Sequence, residues 1–71
     1  MTANRAAIRA IRQGKRIGLR KLERQTGISR GFLSQIELGR RGASARTLAR
    51  IAKGLDVPID AITMKTPEAD A

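Results

Sequence analysis

The chain has 71 residues, with 15 Lys and Arg against 6 Asp and Glu, and it contains neither Cys nor His. That length allows one small domain near the lower limit at which a hydrophobic core alone outweighs chain entropy. Without Cys or His, disulfides, thiolate or imidazole metal sites and the commonest general base are excluded, so helix packing has to carry the fold. The net charge of +9 is uneven: fourteen basic and two acidic residues lie up to Leu55, and one basic and four acidic from Asp56 onward. The folded part is therefore expected to face a polyanion. No apolar run approaches the roughly 18 residues of a membrane span, and the start, M-T-A-N-R, lacks the apolar region of a signal peptide. The expected location is the cytoplasm.

A first helix is predicted from an Asn4 N-cap to Gln13, closed by Gly14, with Ala7, Ile8 and Ile11 on one face and Arg5, Arg9 and Arg12 around the other. Arg12 has two readings, a solvated helix arginine or a guanidinium turned inward onto a carboxylate, for which Glu37 is the candidate. A Glu in the last turn of a helix opposes the helix dipole, so its position makes better sense beside a cation. A second helix is expected over Leu19–Thr26, with Leu22 inward and Arg20, Lys21 and Arg24 outward. Gly18 stands at its N-cap. Either it leaves free N–H groups and a positive dipole end as a phosphate seat, beside Lys15 and Arg16, or it is simply a flexible loop.

The next stretch, Gly27 to Gly39, reads G-I-S-R-G-F-L-S-Q-I-E-L-G and announces a short third helix at both ends. Ser29 is placed to cap its start, and Gly39 to end it in the left-handed conformation. At about 100° per residue, Phe32, Leu33 and Ile36 point one way while Arg30, Gly31, Ser34, Gln35 and Leu38 point the other. A two-sided helix entered through a Gly27 turn is the arrangement in which a helix-turn-helix protein lays its second helix in the DNA major groove.

A short basic segment, Arg40-Arg41-Gly42-Ala43, leads to Ser44 as N-cap of a fourth helix, Ala45 to Gly54, whose stripe of Leu48, Ile51, Ala52 and Leu55 is core. Val57-Pro58 forces a turn. Pro58 can then begin a last short helix, Ile59 to about Thr63, with Ile59 and Ile62 closing the core. There is no repeat and no strand-type alternation. The division expected is a domain over residues 1–63 and a disordered tail over 64–71, with Pro67, Glu68 and Asp70.

With the segments in place, residues 8–62 resemble the lambda-repressor-like, Cro-type helix-turn-helix family, also called the xenobiotic-response-element type. The resemblance rests on I-x-x-I-R (Ile8, Ile11, Arg12), on L-x-x-x-T-G-I-S-R-G-F-L-S-Q-I-E-L-G from Leu22 to Gly39, and on S-A-R-T-L-A-R-I-A-K-G-L-D-V from Ser44 to Val57. It implies an all-α bundle of four to five short helices, with helices 2 and 3 as the DNA-binding unit and Arg12 with Glu37 as an ion pair between helices 1 and 3. The chain departs from the family pattern at Gly18, often Ser or Thr, at Leu19, often a Gln that touches phosphate, and at Glu23, usually a small residue. Glu23 is expected either to turn out past a nearby arginine or to hold helices 2 and 3 slightly apart.

The function expected is sequence-specific binding of double-stranded DNA by a transcriptional regulator, a repressor first, held on the nucleoid. Arg30 can pair with guanine and Gln35 with adenine, Ser34 can serve a base or a phosphate, and Gly31 lets the helix sit deep. For Arg30 a phosphate contact is the competing reading, and for Gln35 a solvated amide. Phosphate contacts are expected from Lys15, Arg16, Arg20, Arg40, Arg41, Arg46 and Ser29, and from backbone N–H groups at Gly18 and Leu19. Phe32 belongs either to the core or to a thymine methyl. By analogy with the fold, a homodimer on a pseudo-palindromic operator is expected. The competing functions are a protein-interaction module, such as an antitoxin that docks a protein partner through Pro67–Ala71, and an architectural DNA-binding protein without sequence preference. No catalytic constellation, cofactor, metal site or small-molecule pocket is expected.

Overall fold

In the computed structural model, which describes residues 2–64, four α-helices follow one another: α1 (Arg5–Gly14), α2 (Leu19–Thr26), α3 (Arg30–Glu37) and α4 (Ala45–Leu55). A 3-10 helix, Ile59–Ile62, completes the helical part. Three helices start where a side-chain oxygen satisfies an otherwise unpaired N–H. Asn4 accepts from Ala7 N–H, Ser29 from Phe32 N–H and Ser44 from Thr47 N–H, each at 3.1 Å. At α2 the N-cap is Gly18, with no side-chain cap.

The helix ends correct one expectation. α1 does not close at Gly14; it runs through that residue, and the left-handed position is Arg16, at φ 57. Arg16 N–H donates to Gln13 and Ile17 N–H to Arg12, at 3.0 and 2.9 Å. This closure satisfies two terminal carbonyls and delivers Ile17 to the core as the apolar residue that follows such a motif. α4 likewise runs one residue past Gly54 and is closed by Asp56 at φ 58, with Val57 N–H donating to Ala52. Glycine fills the left-handed position after α2 and α3, as Gly27 (φ 74) and Gly39 (φ 75).

A second correction concerns strands. Thr2–Ala3 (β1) pairs antiparallel with Thr63–Met64 (β2), Thr2 opposite Met64 and Ala3 opposite Thr63. Asn4 N–H adds a bond to Ile62 carbonyl at 2.9 Å. Two residues are too few to show alternation, so nothing in the sequence pattern announces this clip. Met64, expected to open the tail, is thus tied to the start of the chain. The rest of that stretch, with Pro67, Glu68 and Asp70, lies outside the described residues.

The core is drawn from every helix: Ile8, Leu22, Leu33, Ile36, Leu48, Ile51, Leu55 and Ile62 are each at most 2% exposed. Ile17 and Ile28, which carry no helical periodicity because they sit in the two turns, are buried beside them. No described helix is long and apolar enough to cross a membrane. α2 and α4 approach so closely that a Cβ on Gly54 would lie 2.6 Å from the Thr26 methyl and 3.1 Å from a Leu22 methyl. Thr26 cannot yield easily: its Oγ1 donates to Leu22 carbonyl at 2.8 Å and accepts from Ile28 N–H at 3.1 Å. In Gly54→Ala, the helix-propensity gain of at most about 1 kcal/mol is opposed by overpacking of about 1 to 3 kcal/mol. The expected result is a net loss near 1 kcal/mol, seen as a melting temperature lower by about 4 to 8 °C.

Candidate nucleic-acid interface

The angle between α2 and α3 is set by a turn of three residues, Gly27-Ile28-Ser29. Gly27 N–H closes α2 on Glu23 carbonyl at 2.8 Å. From α4, the Arg50 guanidinium donates to Thr26 carbonyl at 2.6 Å, filling an acceptor that the helix end leaves open. At the far end of α3, Gly39 and Arg40 N–H groups donate to Ile36 and Gln35 carbonyls, both at 3.0 Å. Arg5 Nη1 reaches across from α1 to Leu38 carbonyl at 2.8 Å. The positive charge of Arg5 also complements the negative end of α3.

Between these two clamps lies the ion pair. Arg12 Nε and Nη2 donate to the two oxygens of Glu37 at 2.7 and 2.9 Å, a bidentate fork. Its remaining Nη1 donates to Ile17 carbonyl at 3.1 Å, so one side chain fixes α3 and the α1–α2 turn together. The two side chains are only 13% and 8% exposed. The Arg12 guanidinium holds its proton more tightly than usual, first because of the hydrogen bond to Glu37, against desolvation, with the carboxylate charge adding. Of the two readings of Arg12, the inward one is the one the structure has.

With its inner face so fixed, α3 turns Arg30 and Gly31 to the exterior, with Ser34 and Gln35 half-buried beside them. A Cβ on Gly31 would meet nothing within 4 Å. A glycine inside a helix costs about 1 kcal/mol relative to Ala, and no internal contact requires this one. Phe32 packs against the margin of the core, and the Arg41 guanidinium stacks 4.8 Å from its ring centroid. The core reading of Phe32 therefore holds.

The residues expected at phosphates are placed in different ways. Arg16, Arg20, Arg40 and Arg46 are exposed. Gly18 is extended (φ −73, ψ 162) and Leu19 packs on the core, so this pair has backbone N–H groups alone to offer. Ser29 uses its oxygen to cap α3 but keeps its O–H to donate. Lys15 is differently placed: its ammonium is directed 3.4 Å from Asp56 carbonyl, at the end of α4.

Glu23 does not simply turn out past an arginine. It turns along the α2–α3 junction, and its Oε2 accepts Arg30 N–H at 3.0 Å, adding a second cap to α3. It is half-buried. The sequence reading also left Arg5 without a partner on the face opposite Ala7, Ile8 and Ile11 and did not single out Arg50. Both clamp carbonyls, 33 and 24 residues away respectively, that become neighbours only in the fold.

Comparison with known proteins agrees with this geometry. Residues 6–68 match the family model described as a helix-turn-helix domain. Two uncharacterized HTH-type transcriptional regulators of Mycobacterium tuberculosis, Rv0474 and MT0491, are each 36% identical over 58 residues. The match covers 82% of this chain and 41% of each relative, so the chain spans about two fifths of their length. Among solved structures, the clp gene regulator ClgR from C. glutamicum superposes with a TM-score of 0.76 at 34% identity, over 80% of this chain and 75% of that one. The restriction-modification controller protein C.AhdI from Aeromonas hydrophila gives 0.78 at 23% identity, over 80% and 86%, a likeness of fold. With the family match over residues 6–68 and the likeness to ClgR added to its own turn and two-sided α3, the chain belongs to the helix-turn-helix domain family, in its lambda-repressor-like form.

Proposed function

We propose that the chain is a sequence-specific, double-stranded DNA-binding transcriptional regulator that inserts α3 into the major groove and acts first as a repressor. The observation that carries this reading is the division of labour on α3. Leu33, Ile36 and Glu37 are committed to the fold, while Arg30, Gly31, Ser34 and Gln35 stand on the other side with no internal task for their side chains. Arg30 offers a fork to guanine, Gln35 an amide to adenine, and the bare Gly31 permits close approach. Arg16, Arg20, Arg40, Arg41 and Arg46 are exposed and, with N–H groups at Gly18 and Leu19 and the Ser29 hydroxyl, would neutralise phosphates on either side of this surface. The relatives named as transcriptional regulators, and ClgR as a regulator of clp genes, support the same reading.

Two copies on a pseudo-palindrome would place their α3 helices about one DNA turn apart, roughly 34 Å. A complex of this kind neutralising roughly six phosphates per subunit should weaken with salt at a slope of about −5 in log K against log concentration. The test is selection from randomised duplexes at near-physiological salt. An enriched motif, two-fold symmetric if a dimer binds, is the expected outcome. Binding without enrichment at any position would replace the regulator with an architectural protein, and no retention of duplex would remove DNA from the reading altogether.

A further inference from the structure

Of the four carboxylates among the described residues, Glu37 is neutralised by Arg12, and Asp56 and Asp60 lie at the end of α4 and in the 3-10 helix. Glu23 is the one on the α2–α3 surface. It shares an open hollow with Arg20, Arg24 and Arg30, yet makes no ion pair with them or with any other described residue. Its Oε2 is held by Arg30 N–H at 3.0 Å, which fixes the carboxylate at the first residue of α3. No described residue hydrogen-bonds to its other oxygen, Oε1. A carboxylate accepts hydrogen bonds and cannot donate them. Fixed beside the side chain that would read guanine, it would be satisfied by a base edge that donates and repelled by one that only accepts.

Resting on the DNA-binding function proposed above, we infer that Glu23 is a specificity-determining residue. Its Oε1 accepts from the exocyclic amino group of cytosine or adenine at the position next to the guanine contacted by Arg30, read on the same strand as that guanine. A guanine or thymine edge at that place presents O6 and N7 or O4, all acceptors, and leaves the carboxylate opposed by lone pairs. The hydrogen bond to Arg30 N–H makes the pair a unit: the backbone of one residue positions the acceptor, and the side chain of the same residue supplies the neighbouring donor.

The test is the randomised-duplex selection repeated with Glu23→Gln and Glu23→Ala. Gln can keep the cap on Arg30 N–H through its one carbonyl oxygen, and its other end is then an NH2 that only donates; Ala removes cap and acceptor together. Helix content and melting temperature measured on both variants establish that they are folded. The expected wild-type motif carries cytosine or adenine next to the guanine that Arg30→Ala erases. Replacing that base by one with an acceptor edge weakens wild-type binding about ten- to a hundredfold. In folded Glu23→Gln the preference for cytosine or adenine at this position alone is lost or turns toward guanine or thymine, and in Glu23→Ala, if folded, it flattens to less than about threefold. A motif unchanged at every position in folded Glu23→Gln, or one with guanine or thymine at the neighbouring position in the wild type, overturns the inference and leaves the regulator intact. Absence of any wild-type motif overturns the function on which it rests.

Discussion

Arg12→Ala is expected to remove about 3 to 5 kcal/mol of stability, the cost of leaving a partly buried Glu37 without its cation. The geometry argues for the upper part of that range, because the same guanidinium also holds Ile17 carbonyl and thus the α1–α2 turn. A domain of this length has little more than that to lose. Urea unfolding followed by helix signal should show a marginally folded or unfolded variant at room temperature, and Glu37→Ala should behave alike. Replacing both residues by leucine should recover much of the loss, since an apolar pair strands no charge. A loss under about 1 kcal/mol in either single variant would mean that water replaces the missing partner and that the pair does not anchor α3.

Arg30→Ala is expected to lose about 1 to 3 kcal/mol of discrimination at one guanine of the selected motif, roughly ten- to a hundredfold in relative affinity. Arg30→Lys separates this from charge: it keeps the cation but not the planar fork. Titration of labelled duplexes should therefore find random-sequence affinity nearly preserved in Arg30→Lys and discrimination at the guanine gone. Equal loss on selected and random duplexes, with the motif intact, would place Arg30 on a phosphate. The protein fold does not depend on its side chain, which makes no described hydrogen bond, so both variants should melt like the wild type.

The helical frame was legible in the residues because each element carries its own punctuation. Asn4, Ser29 and Ser44 announce helix starts, Gly27 and Gly39 announce ends, and Leu48, Ile51, Ala52 and Leu55 trace one stripe; all hold in the structure. The Arg12–Glu37 pair came from the resemblance together with a dipole argument, and its two-pronged geometry is now explicit. What stayed hidden is non-local. Arg5 and Arg50 look like surface charge until the fold brings Leu38 and Thr26 carbonyls to them. Left-handed Arg16 broke the usual glycine signal, so the turn that closes α1 has its left-handed residue two positions after Gly14. Glu23 could not be placed because its partner is a backbone N–H across a turn, invisible to any pattern of side chains.

Amide chemical-shift mapping of the isotope-labelled chain, titrated with duplex DNA, tests most directly whether α3 is the element that meets it. The expected perturbations centre on Ser29 to Gln35, extend to Gly18, Leu19 and Arg20 at the start of α2 and to Arg40, Arg41 and Arg46, and leave the rest of α4 and Ile59–Ile62 unmoved. Shifts centred on α4 and the 3-10 helix, with Arg30 to Gln35 silent, would contradict the assignment of α3 as the reading helix.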